Sequence, residues 1–413
     1  MEFNIVGKVL RGDKVIWFIF IALCVISILE IFSATSTIVY RQQNHWGPVL
    51  RHSIFLLMGL GGVVFLQLIP IRYFSLLILG VPFSIILLIA TIYLGEDVNG
   101  AQRWLGIGAF TIQPSEFAKI SLIGFVAFFL SRMKPDNEKL IFKILIITIG
   151  VTCAFILTEN LSTACLLFAV CFLMMFIGQV NLKKLGTIVL IGFAAMLILF
   201  LSLSFLPKSV LPDRFATWKA RIERHSAGDD YEVAEDGTIK YQITDENYQI
   251  SHAKIAIANG GIVGLPGSGV ERDFLPQAYS DFIFAIILEE MGLIGGLFVL
   301  FLYLVLLIRA GILASKCEKK FPRYLILGAA LMLGLQAFIN MGVAVDLLPV
   351  TGQPLPLISR GGTSTILTCV YFGIILSCSS KVNNMEAHAD VDESIANIDY
   401  NEIPDDEYNK TNI

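Results

Sequence analysis

Ten apolar runs dominate this chain. The first is Val15 to Leu29, and the others lie at about 49–69, 74–94, 114–131, 141–158, 161–178, 186–206, 281–308, 324–345 and 360–380. Runs near 20 residues with few charges are long enough to cross a bilayer as helices, which satisfy their own backbone groups where water is absent. Of the 413 residues, 55% are hydrophobic and 15% charged, a balance that soluble domains rarely show. The reading is an all-α integral membrane protein with ten transmembrane helices. Two runs nearly merge at Thr158-Glu159-Asn160. Residues 141–178 are too many for one span and suit two.

Charge sets the expected orientation. Lys8, Arg11 and Lys14 flank the first run, and no small-x-small cleavage site follows it. An uncleaved first helix with residues 1–14 in the cytoplasm is expected. An even number of spans returns the C-terminus to the same side. Inside positions then hold Lys8, Arg11, Lys14, Arg72, Arg132, Lys134, Lys139, Lys143, Lys183, Lys184, Arg309, Lys316, Lys319, Lys320, Arg323 and Lys381, sixteen in all. Short outside loops hold four, Arg41, Arg51, Arg103 and Arg360. That asymmetry obeys the positive-inside rule.

Of the seven cysteines, all but Cys317 lie inside apolar runs. No CxxC pair or Cys/His ligand spacing points to a disulfide framework or a zinc site. The cysteines read as small buried hydrophobes.

One connection is far longer than the rest. Residues 207–280 form a large extracytoplasmic loop between the seventh and eighth spans. Within it, Arg214, Trp218, Arg221, Ile222 and Arg224 recur at helical spacing, which suits an interfacial helix or an amphipathic helix packed on the bundle. The acidic stretch 228–247 reads as a solvated insertion. The Gly-rich segment 258–269 has no Walker or Rossmann pattern. Its glycines allow an irregular loop over the bundle or close approach to a ligand. Residues 381–413 read as a disordered, acidic cytoplasmic tail.

Polar groups at the mouths of apolar runs carry the functional signal. Asp281 stands directly before Phe282, Ile283 and Phe284. A carboxylate there is costly to desolvate, which marks it either as a base or, with Ser280, as an N-terminal cap. Asn99-Gly100-Ala101-Gln102-Arg103-Trp104-Leu105 precedes Gln113-Pro114-Ser115-Glu116-Phe117-Ala118-Lys119. Glu116 and Lys119 share a helix face, as an ion pair or as part of a substrate path. Ser359-Arg360-Gly361-Gly362 opens the last run, where an arginine beside a helix N-terminus would hold phosphate or snorkel. Asn340 and Asp346 lie at the outer end of the ninth run. On this topology Arg103, Glu116, Asp281 and Arg360 share one depth. An outward-opening polar cavity with a carboxylate and several cations suits an anionic lipid-linked substrate.

These motifs resemble the SEDS family, the FtsW and RodA group of bacterial peptidoglycan polymerases. The resemblance covers about residues 12–380 and rests on Asn99–Leu105 with Gln113–Lys119, on Ala258–Gly269, on Phe274–Gly296 and on Pro349–Ser364. The wording of Leu275–Phe282 and Leu357–Ser364 is nearer the FtsW branch, the division members, than the RodA branch. Tyr279-Ser280 stands where many members have His-Thr, and Glu159-Asn160 where Pro-Asp is common.

The resemblance implies a ten-helix SEDS fold in the bacterial cytoplasmic membrane with both termini cytoplasmic. It implies polymerisation of lipid II into glycan strands on the outer face, and it places the family's essential aspartate on Asp281. Asp281 is then the base for an attacking sugar hydroxyl. Arg103, Trp104, Glu116, Lys119, Ser359 and Arg360 are the candidate substrate-binding residues, with Arg360, Arg103 and Lys119 facing the leaving diphosphate. A divalent ion, Mg or Mn, would assist, although no ligand cluster is visible in the sequence. Expected partners are lipid II and polyprenyl diphosphate-linked glycan, a class B penicillin-binding protein acting as transpeptidase, and divisome proteins, with no nucleic acid. The competing readings are a lipid II flippase or transporter, an elongation polymerase of the RodA type, and a non-enzymatic division scaffold with the acidic tail as its handle.

Overall fold

The computed structural model describes residues 11–34, 46–97, 102–107, 110–205, 218–219, 221, 231–233, 239–241, 243–244, 247–265, 267, 269–271, 274–275 and 279–396. Eleven α-helices run through these residues: α1 (Lys14–Ala34), α2 (Gly47–Leu68), α3 (Leu77–Leu94), α4 (Pro114–Ser131), α5 (Glu138–Glu159), α6 (Leu161–Ile177), α7 (Leu182–Phe205), α8 (Tyr248–Gly260), α9 (Ile283–Lys316), α10 (Lys320–Ala344) and α11 (Thr363–Ala396). A 3₁₀ turn, Ile71–Leu76, leads into α3. Among the described residues, eight helices, α1 to α5 and α9 to α11, are long and apolar enough to cross a membrane. The apolar α6 is shorter, at 17 residues. The molecule is a multi-pass, mostly helical membrane protein.

The 141–178 stretch divides as its length requires. Asn160 ends α5 and caps α6, its Oδ1 accepting from the Ser162 and Thr163 N–H groups at 2.9 and 3.2 Å. Burial separates centre from rim. In α4, 78% of the spanning window is buried, against 22% across the 3₁₀ turn and α3. Rim helices turn large apolar side chains such as Phe18, Leu57 and Leu79 outward, which is stable only against hydrocarbon. At one end Asp13 ties three helices together. Its Oδ1 accepts from the Val15 and Ile16 N–H groups, its Oδ2 binds Arg309 at 2.6 Å, and its N–H donates to Ser379 Oγ.

Three features depart from expectation. First, short strands accompany the helices. β1 (Glu96–Asp97), β2 (Gln102–Ile107) and β3 (Phe110–Ile112) form an antiparallel sheet ahead of α4. In the acidic stretch, β4 (Tyr231–Val233) pairs antiparallel with β5 (Ile239–Tyr241). Aromatic and β-branched residues such as Trp104, Ile107, Thr111 and Ile112 favour strand pairing once the chain leaves the helical bundle. Second, α11 continues past Ser380 to Ala396, where irregular chain was expected from 381 onward. Extending an existing helix avoids the cost of nucleating one. Residues 397–413 lie outside the described residues. Third, α9 breaks at Gly292, whose φ is +64°. The Gly-rich segment packs backbone to backbone into that break. The Leu293 and Ile294 N–H groups donate to the Gly261 and Ile262 carbonyls. A Cβ on Gly260 would lie 1.8 Å from the Leu288 carbonyl oxygen. Close packing accounts for Gly260 and Gly264, and a positive φ for Gly261 and Gly267. The helix expected over 213–225 falls largely outside the described residues. Arg221, which is described, donates from Nη1 to the Val350 carbonyl at 3.0 Å.

Candidate active site

The site lies at the end of the bundle remote from Asp13, where the N-termini of α2, α4, α6, α9 and α11 meet. Two adjoining lobes open there, of about 290 and 230 Å³, sharing Trp104, Ser280, Arg360 and Gly361 in their walls. The larger is cationic, lined by Arg51 and Arg360 with His52 beside them, and it ends on Gly361-Gly362-Thr363 at the start of α11. The smaller holds two carboxylates, Asp281 and Glu116, with Gln113, Asn160, Thr163 and Gln353. Each helix N-terminus adds partial positive charge, so the convergence favours an anion before any side chain is counted.

Asp281 is positioned through its backbone. Three consecutive carbonyls before α9 are each taken by a donor. The Tyr279 carbonyl accepts the Arg360 N–H at 2.9 Å, and the Ser280 carbonyl accepts Ser359 Oγ at 2.6 Å. The Asp281 carbonyl accepts Asn340 Nδ2 at 2.8 Å. The cap expected of Ser280 or Asp281 does not form. Phe282 occupies the N-cap position, and no side chain caps α9. Ser280 Oγ instead donates to Asp281 Oδ1 at 2.9 Å, leaving the carboxylate at the wall of the lobe rather than folded over helix N–H groups.

The facing wall is residues 351–362, an irregular and largely buried segment between α10 and α11. Such backbone is tolerated only when its polar groups are satisfied inside the protein. Side chains from three helices supply the donors. Asn340 Nδ2 donates to Gln353 O at 2.8 Å, Gln336 Nε2 to Pro354 O at 2.9 Å and Ser27 Oγ to Ile358 O at 2.8 Å. Tyr303 Oη donates to Pro356 O. Leu357, buried, is held at φ +68° between them, a conformation that costs a non-glycine residue about 1–3 kcal/mol. Ser359 Oγ closes the strap by accepting the Leu355 N–H at 2.7 Å.

The structure separates the sequence-derived candidates. Asp281, Glu116, Trp104 and Arg360 line the lobes, and the Arg360 guanidinium lies 5.2 Å from the centre of the Tyr279 ring. Two candidates act from behind the wall. Lys119 is fully buried, 2.7 Å from Glu116 Oε1 and 3.1 Å from Gln336 Oε1, and does not line either lobe. Its contacts orient Glu116 and Gln336, so it does not reach a diphosphate. Ser359 is likewise buried and spends its hydroxyl on the strap. Arg103 lies in β2 beside Trp104, and its side chain falls outside the described residues. Sequence reasoning missed Arg51 and His52, although an arginine and a histidine side by side in the first turns of an apolar run were a visible signal. It also did not single out the lining amides Gln113, Asn160 and Gln353 as site residues. Asn340, noted as a polar break, supports the site through two backbone carbonyls. Among the described residues no group of three or more His, Cys, Asp or Glu side chains is placed to hold a metal ion.

A membrane-embedded helical bundle with a charged cavity where its helix N-termini meet defines a class, and comparison with known proteins gives the family. Residues 13–384 match the model of the cell cycle protein family that groups FtsW, RodA and SpoVE, and the chain belongs to that family. It is 32% identical over 360 residues to the Probable peptidoglycan glycosyltransferase FtsW of Saccharophagus degradans, covering 83% of this chain and 86% of the relative. To the protein of the same name from Coxiella burnetii it is 31% identical over 379 residues, covering 88% and 95%. Its fold matches a chain of a peptidoglycan synthase complex that coordinates polymerization and crosslinking, with TM-score 0.69 and 24% identity over 90% of this chain and 98% of that one. It also matches the rod shape determining protein RodA of Thermus thermophilus, with TM-score 0.62 and 24% identity over 90% and 97%.

Proposed function

We propose that this protein is a peptidoglycan glycosyltransferase that polymerises lipid II into glycan strands at the outer face of the cytoplasmic membrane, for septal synthesis in division. The observation that carries the reading is the divided cavity. A carboxylate lobe and a cationic lobe share one wall, with Asp281 on one side and Arg51 on the other. In the reaction, Asp281 takes the proton from the 4-hydroxyl of one lipid-linked sugar. The oxygen attacks the anomeric carbon of a second, and a new glycosidic C–O bond forms with inversion. The bond from that carbon to the diphosphate breaks, and the electron pair leaves on polyprenyl diphosphate. Arg51, Arg360 and the N-terminus of α11 stabilise the charge gathering there. Because a diphosphate is a good leaving group, no second carboxylate acid is required, unlike in glycoside hydrolysis. Glu116, held by Lys119, accepts hydrogen bonds from sugar hydroxyls, and Trp104 packs on a sugar face.

The same reading sets topology and company. Ten spans, α1 to α7 and α9 to α11, put both termini in the cytoplasm and the 207–280 connection outside. Partners are a class B penicillin-binding protein that crosslinks the emerging strand and the divisome proteins that recruit the pair. The test is purified protein in vesicles carrying lipid II, with and without such a partner, measuring polymer and translocated lipid in parallel. Polymer is expected. Translocation without polymer would make the chain a transporter and refute the assignment.

A further inference from the structure

His52 lies in the early turns of α2, next to Arg51, and is 2% exposed. An imidazole at this depth is costly unless both ring nitrogens find partners. Its Nε2 lies 2.8 Å from Ser27 Oγ, and Ser27 Oγ lies 2.8 Å from the Ile358 carbonyl oxygen. A hydroxyl has one proton to give, and a carbonyl only accepts. Ser27 therefore donates to Ile358, and His52 Nε2 must carry the ring proton and donate to Ser27. Beside two arginine cations a further positive charge is disfavoured and the ring is neutral, so Nδ1 is left as a bare acceptor. Nδ1 is buried with no hydrogen-bond partner in the protein, yet His52 forms part of the wall of the cationic lobe.

The lobe is otherwise built to give hydrogen bonds. Arg51 and Arg360 are donors suited to phosphate oxygens, and the N-terminal end of α11 adds partial positive charge. A neutral Nδ1 lone pair is the wrong group for phosphate, because it repels an anionic oxygen. It calls for an N–H or O–H on whatever fills the lobe. In a lipid-linked sugar diphosphate those donors belong to the sugar, next to the anomeric carbon. We propose that His52 Nδ1 accepts a hydrogen bond from a hydroxyl or amide N–H of the sugar whose diphosphate occupies the Arg51–Arg360 lobe. His52 thus reads the donor sugar, while the two arginines read the phosphates. The bond sets the register of the donor, with its anomeric carbon turned toward the wall shared with Asp281. The inference rests on the polymerase reading for the identity of the substrate, and on the tautomer and the lobe for the role of His52.

The test compares two ligands on the full-length chain: lipid II, and polyprenyl diphosphate without a sugar. His52→Phe fills the wall but removes the acceptor. It is expected to weaken lipid II binding, and to raise its KM, about tenfold. Affinity for polyprenyl diphosphate should stay within about twofold. His52→Gln restores an amide oxygen and should recover most of the loss. Ser27→Ala leaves the imidazole in place but frees it to carry its proton on Nδ1, and should weaken lipid II binding severalfold. The proposal is overturned if folded His52→Phe binds lipid II as the wild type does, or loses both ligands equally, since a water-satisfied structural histidine behaves that way. If His52→Phe does not fold, an unchanged lipid II affinity in Ser27→Ala overturns it instead. Wild-type protein that binds lipid II without polymerising it overturns the polymerase reading alone, and the binding comparison still decides the role of His52.

Discussion

Two pairs of carboxylates stand near the same end of the molecule and do opposite things. Glu289 and Glu290 are each 4% exposed and are spent on the protein itself. Glu289 Oε1 accepts the Val270 and Glu271 N–H groups at 2.9 and 3.0 Å, while Glu290 accepts Ser33 Oγ and, at 3.4 Å, the Gly267 N–H. They clasp the Gly-rich loop onto α9. Asp281, eight positions earlier, is held by its backbone carbonyl, and its carboxylate lines the smaller lobe beside Glu116. The lesson concerns which atoms the fold engages. A carboxylate whose oxygens take backbone amides is a staple, whereas Asp281, anchored through its main chain and touched by the Ser280 hydroxyl, stands in a cavity wall.

The sharpest way to break this contrast is Asp281→Asn. It should reduce lipid II polymerisation by about 10²–10⁴-fold, with little change in unfolding temperature because the Asn340 bond goes to the main chain. A large loss of stability would place Asp281 among the staples. Next is Lys119→Met, which strands buried Glu116 without its cation. Removing one partner of a buried pair costs about 3–5 kcal/mol, read as a lower midpoint in thermal or denaturant unfolding. Adding Glu116→Gln should recover part of that stability but not activity, since Glu116 lines the lobe. Glu289→Gln should cost less, about 1.5–3 kcal/mol for weakened charge-assisted bonds to two amides. Its kcat per folded molecule should stay within about twofold of wild type. A rate loss like that of Asp281→Asn would erase the distinction. The smallest effect is expected from Arg360→Lys, which keeps the charge but loses the planar fork. KM for lipid II should rise about fivefold with kcat little changed, a split that steady-state kinetics resolves.

Much of the architecture was legible in the residues, and the reason is local. Burying an apolar side chain in hydrocarbon depends on composition within one run, so eight spans, the division at Asn160 and the polar mouths at Glu116, Asp281 and Arg360 could be read in order. The cap expected at Ser280 or Asp281 was a fair local inference that tertiary bonds overrode. Lys119 looked like a phosphate ligand because sequence spacing shows which face a residue shares, not whether that face turns toward a cavity or into the packed interior.

The order of residues by itself determined a membrane bundle and most of its charged outposts. Only the folded arrangement decided which of them meet. Ser27 reaches the Ile358 carbonyl across 331 positions and Lys119 reaches Gln336 across 217. Polar satisfaction in a water-poor interior is a long-range matter. Each donor must find an acceptor wherever the packing of helices brings one, and no window along the chain contains that information.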